Sequence, residues 1–134
     1  MKRAACMVSA LAVLVLAAGA DSANTPTIKQ LMTKLHKGAN APVNRIKGQL
    51  KSDSPDWKAV QETSKELMLL GASLPKGEPK KGDKANYERL ANAYYDQTRA
   101  LDDAARGQDK AKATAALGKL GASCKDCHVA HKGK

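Results

Sequence analysis

Two cysteines and a histidine stand close together near the end of the 134-residue chain. Cys124, Cys127 and His128 form the pattern C-x-x-C-H, which is typical of covalent haem attachment. On a helix, positions 124 and 127 lie on one face, so both thiols can add to the vinyl groups of the same porphyrin. His128 follows directly and can place an imidazole nitrogen on the iron. The pattern predicts one haem c per chain, held by Cys124 and Cys127, with His128 as the proximal ligand.

Zinc binding and dithiol redox chemistry are the alternatives for the same three residues. A closed zinc site uses four ligands, usually as two spaced pairs. The chain has three cysteines and three histidines in all, and the remaining cysteine, Cys6, stands far away near the N-terminus. The haem interpretation is therefore favoured over a zinc site.

The composition indicates a small helical protein with a basic surface. Aromatic residues make up 3% of the chain and Phe is absent, so Leu, Ala, Met and Val must fill the core. Such a core suits helices better than sheets. Lys and Arg number 23 against 13 acidic residues, a net charge of +10, which favours an acidic redox partner or an anionic membrane face. Because the lysines are scattered and not grouped with aromatic residues, we expect no nucleic acid partner.

The first 20 residues have the composition of a secretory signal peptide. Two basic residues precede a mostly apolar run over residues 4–18, and the small residues at 18–20 fit a cleavage site. The apolar run is shorter than the roughly 18 residues that a spanning helix needs. We therefore expect a signal peptide over residues 1–20, a single domain over 21–134, a periplasmic location and no stable membrane anchor.

Apolar residues recur at helical spacing in four segments of the remaining chain. The predicted starts and ends are Thr25–Pro26 for the first helix, Ser54–Pro55 and Gly71 for the second, Asp83 or Asn86 and Gly107 for the third, and Gln108–Asp109 for the fourth, which carries the motif. Residues 43–50 suggest only a short helical turn because Gly48 interrupts them. Residues 75–83 read as a polar loop. The pattern predicts an all-α, antiparallel four-helix bundle with the cofactor in its core.

The segment A-L-G-K-L-G-A-S-C-K-D-C-H at residues 116–128 is similar to the last helix of one family. With Lys132 four residues after the haem histidine, it resembles the cytochrome c prime family and its low-spin class II relatives. Ordinary small cytochromes c differ, because they carry the motif near the N-terminus. The resemblance implies a four-helix bundle with the haem on the last helix, and it implies that the chain can form a homodimer.

The same resemblance directs attention to the first helix for the second axial position of the iron. Low-spin relatives place a methionine there, and Met32 occupies a comparable position. His36, one turn later on the same side, is the alternative ligand. Cytochrome c prime proper leaves that side open. We expect Met32 to be the distal ligand, while His36 and an open distal side remain alternatives. His131 is expected near the haem edge or exposed to solvent, and not as a ligand.

The sixth position of the iron decides the expected function. A side-chain ligand there predicts a six-coordinate, low-spin electron carrier. An open position predicts a five-coordinate protein that binds small gases such as nitric oxide or carbon monoxide. We expect electron transfer, with gas binding as the alternative. No nucleophile–base pair and no paired acids occur at a readable spacing, so no enzymatic activity is expected.

Overall fold

The computed structural model describes residues 26–132, and within this range the secondary structure consists of helices without strands. The α-helices are α1 (Ile28–His36), α2 (Pro42–Lys51), α3 (Trp57–Gly71), α4 (Lys84–Arg106) and α5 (Lys110–His131), and a short 3-10 helix covers Leu74–Lys76. The all-α prediction is confirmed.

Side-chain caps determine where most of these helices begin. At the start of α1, Thr27 accepts a hydrogen bond from the backbone N–H of Gln30, and the Gln30 side chain reaches back to the Thr27 N–H. Asp56, Asp83 and Asp109 cap α3, α4 and α5, each accepting from the N–H three residues further on. Such caps satisfy backbone donors that the first turn leaves without partners.

The predicted starts of the first two helices are too early, and the segment after α1 is more ordered than expected. Helix α1 begins after Thr27 instead of at Pro26, and α3 begins at Trp57 instead of Pro55, because the capping side chains stand one residue before these starts. Residues 43–50 belong to the complete helix α2, whose Ile46 and Leu50 are buried. Gly48 lies on the exposed side of α2, where it weakens the helix without removing a core contact.

The five helices form the four arms of a bundle. Helices α4 and α5 pack along each other and are joined by the short connection at 107–109, so they run antiparallel. Helix α3 packs on α4, while α1 and α2 both pack on α3 and together make the remaining arm. The four-helix bundle prediction is confirmed. Its core is mostly aliphatic and includes two of the three tyrosines: Leu31, Leu35, Ile46, Val60, Leu67, Tyr87, Tyr94, Leu101 and Leu120.

A buried carboxylate joins α3 and α4 at the end of the bundle remote from the C-x-x-C-H motif. Asp102 is only 3% exposed and accepts a hydrogen bond from the Ser64 hydroxyl at 2.9 Å and from the Arg106 guanidinium at 2.9 Å. The Gln61 amide donates to the Ala105 carbonyl at 3.1 Å nearby. Because a buried charge is costly unless it is paired and hydrogen-bonded, these partners fix the register of α3 against α4.

The signal peptide predicted for residues 1–20 lies outside the described residues, so it stays a prediction. Between residues 26 and 132, no helix is both long and apolar enough to cross a membrane. The single domain predicted for residues 21–134 likewise stays a prediction.

Candidate functional site

The two motif cysteines lie near the end of α5 as free, half-buried thiols. Cys124 donates a weak hydrogen bond to the Leu120 carbonyl, with the sulfur 3.7 Å from the oxygen. Cys127 packs against the edge of the core. Burial, and then the nearby Cys124, raises the pKa of the Cys127 thiol, so this thiol stays protonated at neutral pH. One helix thus presents both thiols at i and i+3, as the motif predicts.

The face of α5 that carries His128 is exposed near the end of the helix. His128 itself is exposed. Gly121 stands seven residues earlier, on the same face after two turns, and a Cβ atom there would meet no atom within 4 Å. Leu117, one further turn back, is half-buried and packs against the core. Two thiols, an imidazole and an apolar face with open space beside them are the groups that a covalently bound haem requires, so these residues fit the cofactor.

His36 approaches this site from the last turn of α1. Its Nε2 atom lies 3.0 Å from the Tyr94 hydroxyl oxygen, and the two rings meet edge to face with centroids 5.9 Å apart. Burial, and then the electrostatic influence of His128, lowers the pKa of His36. The two imidazoles are therefore close enough to influence each other, although they stand on the first and last helices of the bundle.

Two buried tyrosines of α4 stand behind the motif cysteines. Burial, and then the nearby Cys124 thiol, raises the pKa of Tyr94. Burial, and then Cys127 and Glu78, raises the pKa of Tyr87 to about 12. Both phenols therefore keep their protons at neutral pH and act as hydrogen-bond donors. Tyr87 donates to the Leu74 carbonyl at 2.7 Å, whereas the hydroxyl of Tyr94 bonds His36.

Met32 lies one turn before His36 on α1 and is half-buried against the edge of the core. The neighbouring His36, by contrast, bonds Tyr94, and its pKa is influenced by His128. The assignment of Met32 as the distal ligand stays a prediction, and so does the alternative assignment of His36.

Two residues have roles that the sequence did not indicate. The hydroxyl of Tyr94 bonds His36, a contact between α4 and α1 that no sequence pattern indicates. Of the two positions expected for His131, the exposed one is wrong, because the residue is 8% exposed and both ring nitrogens lie within 3.0 Å of partners. Its position near the haem edge stays a prediction. A signal for His131 does exist in the sequence, because it stands four residues after Cys127 and so continues the inward-facing stripe of α5.

In the part of the chain that the structure describes, no three His, Cys, Asp or Glu side chains converge as a metal-binding group. A closed zinc site needs four such ligands. The zinc alternative therefore finds no ligand set within residues 26–132, whereas the haem interpretation needs only the two thiols and one axial imidazole.

A helical bundle whose last helix carries C-x-x-C-H beside an open face defines a monohaem c-type cytochrome. The family model described as Cytochrome C' matches residues 82–132, which include α4 and α5. A cytochrome c' of Alcaligenes xylosoxydans xylosoxydans is 35% identical over 107 residues, which cover 74% of this chain and 83% of the relative. The chain belongs to the cytochrome c' family. Comparison with solved structures yields no match.

Membership of this family confirms the predicted cofactor, one haem c per chain. It also bears on the two functions that the sequence left open. The family fits the five-coordinate, gas-binding alternative better than the six-coordinate electron carrier.

Proposed function

We propose that this protein binds small gases, such as nitric oxide or carbon monoxide, at a haem whose distal side carries no side-chain ligand. Cys124 and Cys127 hold the porphyrin, and His128 is the proximal ligand. When bound, the haem supplies an iron whose second axial position accepts either a side chain or a small gas. The observation that carries the proposal is the hydrogen bond of 3.0 Å between Nε2 of His36 and the hydroxyl of Tyr94.

This hydrogen bond occupies the nitrogen that His36 would need as a ligand. Tyr94 is buried and its pKa is raised, so its hydroxyl keeps its proton, and we assign this O–H as the hydrogen-bond donor to Nε2. In that tautomer Nδ1 carries the imidazole proton, and neither ring nitrogen has a free lone pair. Releasing Nε2 would remove a bond worth about 0.5–1.5 kcal/mol and leave a buried phenol without an acceptor. His36 therefore serves as a polar group on the distal side.

Electron transfer through a six-coordinate iron is the second candidate, and one observation favours it. An electrostatic contribution from His128 helps to lower the pKa of His36, so the two imidazoles are near each other. If His36 broke its bond to Tyr94, its Nε2 atom would be free to serve as a second iron ligand. If Met32 took this place instead, its thioether would give a higher reduction potential than a second imidazole.

Optical spectra of the purified holoprotein separate these functions. We would record oxidised and reduced spectra, with and without carbon monoxide, for the wild type, His36→Leu and Met32→Leu. Broad high-spin bands that shift with carbon monoxide in all three proteins are the expected result. Sharp, split bands in the reduced wild type that do not change on addition of carbon monoxide would contradict gas binding. Their loss in only one variant would then identify the ligand, and a weak sulfur-to-iron band in the oxidised form would support Met32.

We also propose that the protein works in the periplasm, by binding rather than by catalysis, and that it exchanges electrons with an acidic partner protein. The apolar run near the N-terminus supports the periplasmic location, and the net charge of +10 supports the acidic partner. Release of the haem-stained protein by osmotic shock tests the location. Reduction rates by an acidic donor protein should fall as salt is added, because salt screens attraction between opposite charges. Retention of the protein in the cytosol would contradict the periplasmic location, and reduction rates that do not depend on salt concentration would contradict the acidic partner.

A further inference from the structure

A loop and two helices meet at His131, one turn beyond the haem-attachment motif. The Nδ1–H group of His131 donates to the Lys81 carbonyl at 2.9 Å, and Nε2 pairs with the Asn86 side-chain amide at 3.0 Å. The imidazole also packs edge to face on Tyr87, with centroids 5.5 Å apart. Because His131 is 8% exposed, these contacts hold a buried polar ring with both nitrogens satisfied.

The loop before α4 can reach His131 only because residue 82 is glycine. Gly82 has φ +83°, and a Cβ atom there would lie 2.6 Å from Nδ1 of His131 and 2.7 Å from the Ala130 carbonyl oxygen. L-amino acids rarely adopt this φ, and a side chain would push the loop away from α5. Gly77 fixes the other end of the loop, since a Cβ there would lie 2.6 Å from Ile28 and 2.8 Å from the Tyr87 hydroxyl.

The residues that this contact restrains are those that would hold the haem. His131 follows His128 by three residues and Cys127 by four, so all three stand on adjacent turns of one helix. Helix α5 ends at His131, and Lys132 already has extended backbone. The last turn of a helix frays when nothing ties it down. Without the contacts of His131, fraying would therefore reach the turn that carries His128.

We infer that His131 is a positioning residue for His128. Through Lys81 and Asn86 it fixes the last turn of α5 and so the orientation of the axial imidazole. The inference rests on the proposed role of His128 as the iron ligand. It concerns a contact that α5 makes with the loop and with α4 one turn beyond His128, whose own side chain is exposed.

The test compares the wild-type holoprotein with His131→Leu, which loses both hydrogen bonds, and His131→Gln, which can keep one. Ser64→Ala is the matched control, because it removes a buried hydrogen bond to Asp102 at the other end of the bundle. The readouts are the iron–histidine stretching vibration of the reduced protein and amide hydrogen exchange. For His131→Leu we expect a shifted or broadened vibration and about tenfold faster exchange in the last turn of α5. The vibration and the exchange rate of His131→Gln should lie between those of the wild type and His131→Leu, and Ser64→Ala should change neither readout.

A second variant keeps the inference testable if His131→Leu does not give folded holoprotein. Gly82→Ala pushes the loop away from α5 without substituting a residue of α5, and it should shift or broaden the iron–histidine vibration as His131→Leu does. A melting temperature lowered in His131→Leu or Gly82→Ala with a wild-type vibration and wild-type exchange would overturn the inference and leave a purely structural role. A His128→Ala holoprotein with an unchanged spectrum would instead contradict the ligand assignment, so the two failures are distinguishable.

Discussion

Replacing Tyr94 with phenylalanine tests the arrangement on the distal side with a change of one oxygen atom. The ring of Tyr94 is 5% exposed, and phenylalanine fills the same space, so the packing of α4 is retained. What disappears is the hydroxyl that bonds Nε2 of His36 at 3.0 Å. His36 then has a free nitrogen, and we expect part of the protein to change from a high-spin, gas-binding form to a low-spin form with His36 on the iron.

The size of this change follows from the strength of the lost bond. A net contribution of about 0.5–1.5 kcal/mol corresponds to a factor of about 2–13 in the ratio of ligated to unligated His36. At a factor of about ten, a ratio of one to nine in the wild type becomes about one to one in the variant. The low-spin fraction would then be large enough to see directly in an optical spectrum.

The assay is the visible spectrum of holoprotein in both oxidation states, followed by titration with carbon monoxide. Tyr94→Phe should gain sharp low-spin bands and bind carbon monoxide more weakly, since the gas must displace His36. Tyr95→Phe is the matched control, because this neighbouring tyrosine is only half-buried and stacks with Arg99 at 5.9 Å. An unchanged spectrum and unchanged gas affinity in Tyr94→Phe would refute the view that this bond holds His36 off the iron.

Two further predictions concern the stability of the bundle. Gly71→Ala would place a Cβ atom 3.1 Å from the hydroxyl of Thr98, which is fully buried, so the free energy of unfolding in urea should fall by about 1–2 kcal/mol. In Gly48→Ala the new Cβ atom meets no atom within 4 Å, so the free energy of unfolding should rise by about 0.5–1 kcal/mol. Equal losses in the two variants would contradict the close-contact argument. Hydrogen bonds from the Lys112 backbone and then its side chain lower the pKa of Asp109, so its stabilisation is present above the ordinary carboxyl value of 3.8 and is lost as the pH falls through the lower folded value. The melting temperature of Asp109→Ala should therefore lie below that of the wild type, with the full difference at neutral pH and a progressively smaller difference below pH 3.8. A difference in melting temperature that stays constant down to about pH 2 would contradict a charged cap.

The features that sequence predicts well here are local ones. The motif at 124–128 is a set of neighbours on one helix, and its spacing alone identifies the cofactor. The ends of α3 and α4 at Gly71 and near Gly107 were also predicted correctly, because terminal glycines act within a single turn. Starts are harder to place, since Thr27 and Asp56 compete with neighbouring residues that also favour helix starts.

The features that sequence misses depend on which helices become neighbours. The bond between His36 and Tyr94 joins α1 to α4, and no periodicity within either helix indicates it. The composition of residues 75–83 predicts a polar loop, and the exposed side chain of Lys80 agrees with that. Its glycines nevertheless pack tightly, since the close approach at Gly82 exists only once α5 lies beside the loop.

The placement of cysteine in this chain has a practical consequence for attaching the protein to a surface. Within residues 26–132 both cysteines belong to the haem motif, so no free thiol remains there once both carry thioether bonds. A cysteine introduced at the exposed Ala111 would stand about 20 Å along α5 from Cys124, at a rise of 1.5 Å per residue. On a gold electrode this single thiol would anchor every molecule by the same end. The monolayer would then stand with its haem ends toward the solution, where dissolved gases and redox proteins arrive.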